Sequence, residues 1–248
     1  MKVAVLLSGQ PRNYYLGYDE LKKSYLDKYD CDVYLHTWKG GNFEATQFFK
    51  DRPKQIYKYS EGYLNDIIGT FKPTEYSFEE PIVFDDKNIV DPIWRQPLQN
   101  AKSMWYSASK VYDLVNKEYD VYIRSRYDLR YETSTLDLES LDMNKLHIWN
   151  WDTDERVKHR GYYDVFAIGN KTNMGIYSSV YSKIDWYLNY DRDYVEFLKG
   201  GRPTHLEWPA QDSGLRNEYL LRWHLTQANV DVEIHNTEMQ HADGQIIR

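Results

Sequence analysis

The first apolar segment of the chain, KVAVLLS, is followed at once by the polar turn GQPRN. An unbroken apolar run of this length is typical of a strand that is buried on both faces of a parallel sheet. A second strand pattern, DVYLHTW at residues 32–38, is separated from the first by a helical pattern at residues 18–29. This order predicts an α/β fold with an open, mostly parallel central sheet flanked by helices.

The rest of the chain continues the same alternation. Apolar residues recur at helical spacing over residues 100–119, with Asn100 placed to cap the helix, and a strand pattern follows at residues 120–126. No repeat and no linker-like segment interrupts the sequence, so we expect a single domain over residues 1–248. Later segments predict strands at residues 146–151, 163–168 and 230–234 and helices at residues 173–188 and 214–228.

Charge and cysteine content argue against several classes of protein. The net charge of -7 disfavours a general phosphate-binding surface, so we expect no nucleic-acid partner. Cys31 is the single cysteine, which excludes an internal disulfide and fits a reducing compartment. No apolar segment is long enough to span a membrane, and the protein is expected to be cytoplasmic.

Aromatic residues are abundant, with 24 Tyr and 8 Trp among the 248 residues. These side chains combine a large apolar face with a polar group and serve both ordinary packing and stacking on sugars or bases. Packing is the simpler interpretation for any single residue, whereas the excess as a whole favours a ligand with flat apolar faces.

The turn after the first strand is the first candidate binding segment. It lacks both the G-x-G-x-x-G and the G-x-x-x-x-G-K-[ST] motif, which argues against dinucleotide and P-loop chemistry. A ligand here would be held by backbone amides around Ser8 and Gly9 together with Gln10 and Arg12, outside the carboxyl end of the strand. An ordinary turn with a solvated arginine explains the segment equally well.

The second candidate segment is DVYIRSRYDLRY, at residues 120–131. If it stays extended, Arg124, Arg126, Asp128 and Arg130 share one face. Three arginines around one aspartate form either a structural ion-pair cluster or a ligand site. In a ligand site, Asp128 would hold a divalent cation of the Mg²⁺ or Mn²⁺ type, and an arginine would face a diphosphate.

Four segments in order, SGQPR, DVYLHTW, SMWYSASKVYDLV and YDVYIRSRYDLRY, resemble small GT-A-type glycosyltransferase-like proteins of bacterial polysaccharide loci and viruses. The resemblance implies a GT-A-like, Rossmann-like domain with a nucleotide-sugar-binding half at about residues 1–130 and an acceptor-side half at about 131–248. It implies transfer of a sugar from a nucleoside-diphosphate-sugar donor to a glycan or other hydroxyl acceptor. A noncatalytic nucleotide- or sugar-binding module and a nucleotidyltransferase remain alternatives.

The resemblance also implies a metal site. In GT-A enzymes an Asp-x-Asp motif binds the cation on the donor diphosphate, and Arg126-Tyr127-Asp128 occupies its place here with one carboxylate retained. Asp128 is therefore the predicted ligand for Mn²⁺ or Mg²⁺, and Arg126 is an alternative source of positive charge. A histidine near the carboxyl terminus, His241 or His235, is expected to complete the site. The literal triplet from Asp152 to Asp154 competes with Asp128.

The remaining roles follow from the same resemblance. Transfer with inversion needs a carboxylate that takes the proton of the acceptor hydroxyl. Asp212 is the predicted base, followed by Asp164 and Glu207. Arg12 and Asp128 are expected to approach the same ligand. The residues predicted to bind the donor nucleotide are Ser8, Gly9, Gln10, Arg12, Trp38, Arg124 and Arg126.

Overall fold

The computed structural model describes residues 1–40, 42–44, 56–58, 61–85, 95–131, 136–150, 161–198 and 215–236. The strands are β1 (Lys2–Ser8), β2 (Asp30–Trp38), β3 (Asn42–Glu44), β4 (Ile56–Lys58), β5 (Glu75–Glu79), β6 (Val121–Ser125), β7 (Leu146–Asn150), β8 (Ala167–Gly169) and β9 (Val232–Asn236). The α-helices are α1 (Tyr14–Leu21), α2 (Tyr63–Phe71), α3 (Arg95–Asp113), α4 (Lys171–Ser178), α5 (Val180–Asn189), α6 (Arg192–Leu198) and α7 (Asn217–Gln227).

The described strands form one mixed sheet in the order β5-β2-β1-β6-β8-β7-β9, and β3 and β4 form a separate antiparallel pair. Within the large sheet, β1 is parallel to β2 and β6, β2 to β5, and β7 to β9. Only β8 is antiparallel to its neighbours. The open, mostly parallel α/β sheet flanked by helices confirms the predicted fold class.

The apolar first strand lies at the centre of the core. Val3, Ala4, Val5 and Leu6 have no exposed surface, as expected for a parallel strand with neighbours on both sides and helices on both faces. The long helix α3 packs on this strand and on β2, and Trp105 is its largest fully buried residue.

Several helix boundaries differ from the predictions. Helix α3 begins at Arg95, so Asn100 lies inside the helix and does not cap it. Pro97 is tolerated in the first turn because the amide that proline lacks has no partner within the helix there. The helix predicted at residues 18–29 begins earlier, as α1, and continues as a π-helical turn (Lys22–Leu26). The helix predicted at residues 173–188 is divided into α4 and α5 at Ser179.

The strands β1 and β6 are parallel neighbours, and the order in which the chain adds strands to the sheet reverses between them. The chain passes from β1 to β2 and β5 on one side of the sheet, and β6 lies on the other side of β1. In open α/β sheets, the crevice outside the carboxyl ends of two such strands is where ligands bind. The first candidate binding segment is the turn after β1. The second, residues 120–131, contains β6 and the loop after it.

None of the helices in the described ranges combines the length and apolar character needed to cross a membrane.

Candidate active site at the ends of β1 and β6

The turn after β1 is held by hydrogen bonds to both neighbouring elements. Gly9 has φ of 109°, in the region that favours glycine, and its amide donates to Ser107 Oγ of α3 at 3.1 Å. Its carbonyl oxygen accepts from Thr37 Oγ1 of β2 at 2.8 Å. The Ser-Gly turn is therefore fixed in place before any ligand binds.

Gln10 and Arg12 interact with each other beyond this turn. The Gln10 side-chain oxygen accepts from Arg12 Nε at 2.8 Å and from Arg12 Nη2. Both residues are partly exposed. The Arg12 guanidinium is therefore oriented in part by the neutral side chain of Gln10.

Gly17 allows helix α1, which follows the turn after β1, to lie close to the loop after β6. A Cβ atom at this position of α1 would lie 1.9 Å from the carbonyl oxygen of Tyr127 and 3.3 Å from Asp128 Cα. Only glycine allows this approach of helix to backbone. Helix α1, which follows the Arg12 turn, is therefore packed against the Tyr127–Asp128 backbone, and the approach of Arg12 and Asp128 to one ligand stays a prediction.

Arg124 is buried, with 1% of its surface exposed. Its Nη1 donates to the carbonyl oxygen of Asp164 at 2.5 Å, and its Nη2 lies 3.5 Å from Ser8 Oγ. Within the described part of the chain, its Nε has no hydrogen-bond partner. The expected row of four charged residues on one face is wrong, because β6 ends at Ser125 and only Arg124 lies in the strand.

Arg126 and Asp128 form a two-pronged ion pair in the loop after β6. Arg126 Nε donates to Asp128 Oδ1 at 2.8 Å and Nη2 donates to Oδ2 at 2.9 Å. The Asp128 side chain is fully buried, whereas 23% of the Arg126 side chain is exposed. Burial lowers the pKa of the Arg126 guanidinium, but the Asp128 carboxylate raises it more, so Arg126 stays charged.

This ion pair decides how well Asp128 fits a metal ion. Both carboxylate oxygens already accept hydrogen bonds, and the guanidinium charge occupies the side from which they would bind a cation. As it lies, Asp128 does not fit Mn²⁺ or Mg²⁺ unless Arg126 moves away. The metal role of Asp128 therefore stays a prediction.

One carboxyl group, that of Asp164, lies near Arg124 and Arg126, and a second, that of Glu218, lies near Asp164. Asp164 precedes β8 and is 6% exposed; burial raises its pKa, and the charges of Arg124 and Arg126 oppose that shift. Glu218 lies in the first turn of α7, where burial and then the charge of Asp164 raise its pKa to about 7. The Tyr162 amide donates to the Glu218 carbonyl oxygen at 3.0 Å and ties the Asp164 segment to α7.

Glu218 was not predicted from the sequence. An acidic residue in the first turn of a helix is ordinarily explained by the helix dipole, which favours negative charge there. The available signal was the segment RNEYLLRWH, where one acidic residue lies between arginines. Its proximity to Asp164 depends on tertiary structure, because the two residues belong to different elements.

Trp38 and His36 lie on β2, on the α3 side of the sheet. Trp38 is 4% exposed and stacks on Tyr106, with ring centroids 5.4 Å apart and planes at 19°. His36 Nδ1 and Ser107 Oγ are hydrogen-bonded at 2.6 Å, and the same hydroxyl oxygen accepts from the Gly9 amide. Burial lowers the pKa of His36 to about 4. Trp38 thus has little free surface for a nucleotide base.

The remaining predicted residues fall into two groups. His235 lies on β9, which is separated from β6 by β8 and β7, a distance of about 14 Å at the usual strand spacing. It is therefore not close enough to share a cation with Asp128. Asp152, Asp154, Glu207, Asp212 and His241 lie outside the described residues.

Comparison with models of known protein families finds no match, and no curated protein matches the sequence. Among solved structures, the chain is similar to the apo form of mouse xyloside xylosyltransferase 1, with a TM-score of 0.42 and 11% sequence identity. The likeness covers 94% of this chain and 84% of the other. At this level it is too weak to carry an activity from that protein to this chain.

Proposed function

We propose that the protein is a glycosyltransferase that moves a sugar from a nucleoside-diphosphate-sugar donor to a glycan or other hydroxyl acceptor. The observation that carries the proposal is the placement of two arginine-bearing segments after β1 and β6, on either side of the point where strand order reverses. This is where open α/β sheets bind ligands. The single-domain organisation with a donor half and an acceptor half, and a cytoplasmic location, stay predictions.

The donor diphosphate lies beside the end of β6 in this proposal. Arg126 is held by Asp128 and is partly exposed, whereas the buried Arg124 is held by the Asp164 carbonyl and acts on the phosphates only through its charge. Fixed positive charges in a site shielded from water stabilise the negative charge that develops on a leaving diphosphate. Arg12 approaches the same phosphates from the turn after β1. Trp38 stays a predicted nucleotide contact.

Arg126 supplies, in this proposal, the positive charge that a divalent cation would otherwise supply. Its exposed part faces the ligand while Asp128 keeps it oriented from the buried side. Because the Asp128 carboxylate is engaged by Arg126, it does not fit Mn²⁺ or Mg²⁺ as it lies, and Asp128 and His241 stay predicted metal ligands. No step of the proposal depends on the ion.

Glu218 is the proposed base. A general base works best when its pKa lies near the working pH, and the Glu218 carboxyl, at about 7, meets this condition. The acceptor oxygen attacks the anomeric carbon, the bond from that carbon to the diphosphate oxygen breaks, and the hydroxyl proton passes to Glu218. Burial, and then the negative charge of Asp164, raise the pKa of Glu218 and with it the basicity of the carboxylate. Asp212 stays a predicted alternative to Glu218.

Release of nucleoside diphosphate from a panel of nucleotide sugars tests the proposal. Wild-type protein is incubated with each donor and simple hydroxyl acceptors, with and without Mn²⁺. We expect turnover with at least one donor and a fall in kcat of about 100-fold or more in Glu218→Gln. Glu118→Gln, which removes a carboxylate from an exposed ion pair with Lys171, is the matched control and keeps wild-type turnover.

A second candidate function is a noncatalytic nucleotide- or sugar-binding module. The ion pair favours it because Asp128 is the one carboxylate retained at the place of the Asp-x-Asp motif, and Arg126 already binds it. Saturable nucleotide binding without release from any donor identifies this module. Absence of both binding and turnover contradicts the two candidates alike.

A further inference from the structure

The strands β7 and β9 bring two histidines and a glutamate together at the far edge of the sheet. His147 lies on β7 and is paired in register with Glu233 of β9, and His235 lies two residues further along β9. One potential ligand atom from each residue lies within 4.8 Å of the others. His147 is buried, and Glu233 and His235 are partly exposed.

Hydrogen bonding determines which nitrogen of His147 carries a proton. Its Nε2 lies 2.9 Å from the carbonyl oxygen of Asp142, and because a carbonyl only accepts, Nε2 is the protonated nitrogen. Nδ1 therefore presents a lone pair that accepts a hydrogen bond from His235 Nε2, 2.9 Å away, and His235 binds a cation through Nε2 only after this proton shifts to its Nδ1. Orientation of the outer N–H by a backbone carbonyl is the arrangement found around metal-bound histidines.

We propose that His147 Nδ1, His235 Nε2 and the Glu233 carboxylate bind a divalent cation of the zinc type. Two imidazole nitrogens and one carboxylate oxygen suit Zn²⁺, whereas Mg²⁺ and Ca²⁺ prefer oxygen ligands alone. A tetrahedral zinc ion about 2.1 Å from each nitrogen separates the two nitrogens by about 3.4 Å. The observed 2.9 Å separation needs only a small opening to accept the ion.

Glu233 can turn toward the two histidines by giving up its contact with Lys145. It is bound to Lys145, whose Nζ lies 3.2 Å from Glu233 Oε2, but 35% of the Lys145 side chain and 43% of the Glu233 side chain are exposed. Ion pairs this exposed are weak, so a cation between the histidines competes well for the carboxylate. With these three side chains as ligands, a water molecule would complete a tetrahedral coordination.

A bound ion would link β9 to β7 through side chains and so stabilise the attachment of β9 to the sheet. Among the described strands, β9 is paired only with β7, so its attachment depends on that one set of strand contacts. The site lies on β7 and β9, which β8 separates from β6, and it does not include the arginines near β6. Its existence is independent of the proposed transferase activity.

Isothermal titration of metal-free protein with Zn²⁺ tests the site. We expect saturable binding by the wild type and no saturable binding of Mg²⁺ under the same conditions. Glu233→Gln and His235→Asn are each expected to bind Zn²⁺ at least about tenfold more weakly. Both side chains are partly exposed, so the variants are expected to fold, and circular dichroism checks this.

Glu118→Gln serves as the matched control, because it also removes a carboxylate from an exposed ion pair with a lysine. It is expected to bind Zn²⁺ as the wild type does. Absence of saturable Zn²⁺ binding, or wild-type affinity in either Glu233→Gln or His235→Asn, overturns the proposal.

Discussion

Arg126 binds Asp128 through two parallel hydrogen bonds of 2.8 and 2.9 Å, with the aspartate fully buried and the arginine partly exposed. The two halves of this pair are therefore not equivalent. Asp128 depends on Arg126 to compensate its charge, whereas Arg126 retains access to water.

This asymmetry predicts unequal costs of removing either partner. Arg126→Met leaves a buried carboxylate without its counter-ion, and we expect it to lower the free energy of unfolding by about 3 kcal/mol. Asp128→Asn leaves a cation that reaches solvent, with an expected loss of about 1 kcal/mol. Urea denaturation at pH 7 measures both. A larger loss in Asp128→Asn than in Arg126→Met contradicts this description of the pair.

The close approach of α1 to the loop after β6 predicts a large effect of Gly17→Ala. The new methyl group would meet the Tyr127 carbonyl oxygen, so helix or loop must shift, and we expect a loss of about 3 kcal/mol or more. Gly69→Ala, within α2, meets no atom within 4 Å and is expected to stabilise by up to about 1 kcal/mol. Thermal unfolding of both variants distinguishes a steric conflict from an effect of helix propensity. Equal stability of Gly17→Ala and Gly69→Ala would contradict the close contact between Gly17 and the Tyr127 carbonyl oxygen.

Much of the fold follows from local sequence, and the site follows from it only in part. The strands around Val5 and Val33 were predictable because buried parallel strands are continuously apolar. The end of β6 was not, since charged residues continue the extended pattern of DVYIRSRYD beyond Ser125.

Pairings across long sequence separations were the least predictable part of the site. Glu218 acquires its environment from Asp164, and His147 meets His235 across 88 residues. Neither relationship leaves a spacing signal in the sequence. The aromatic excess, in contrast, was visible, but Trp38 stacks on Tyr106 in the structure and is almost fully buried.

The raised pKa of Glu218 predicts a pH-dependent penalty on stability. Its folded value of about 7 exceeds the ordinary 4.5, so the stability that the protonated carboxyl contributes is present below pH 4.5 and is lost as pH rises through 7. Glu218→Gln does not titrate and is expected to gain up to about 3 kcal/mol relative to wild type over this range. Urea denaturation of both proteins at pH 5 and pH 8 measures the difference; a pH-independent difference contradicts the assignment.

The lowered pKa of His36 predicts the opposite dependence. Its folded value of about 4 lies below the ordinary 6.5, so the stability contributed by the neutral ring is present above pH 6.5 and is lost as pH falls through 4. Relative to His36→Asn, which does not titrate, the wild type is expected to lose up to about 3 kcal/mol between pH 7 and pH 4. Urea denaturation of both proteins at pH 7 and pH 4 measures this loss. If the difference in free energy of unfolding between wild type and His36→Asn is the same at both pH values, the ring lies in a more polar environment than described.

The most direct test of the proposed function is a thermal-shift panel of nucleoside diphosphates with different bases, each with and without Mn²⁺. At about 100 times Kd, a ligand that binds only the folded state stabilises by about 2.7 kcal/mol, which corresponds to a rise in Tm of about 5–10 °C. We predict such a rise with at least one nucleoside diphosphate, a smaller rise in Arg12→Met, and an unchanged rise in Lys22→Met, which removes a cation from an exposed ion pair. A panel in which no nucleoside diphosphate raises the Tm, with or without Mn²⁺, would contradict the nucleotide-sugar site.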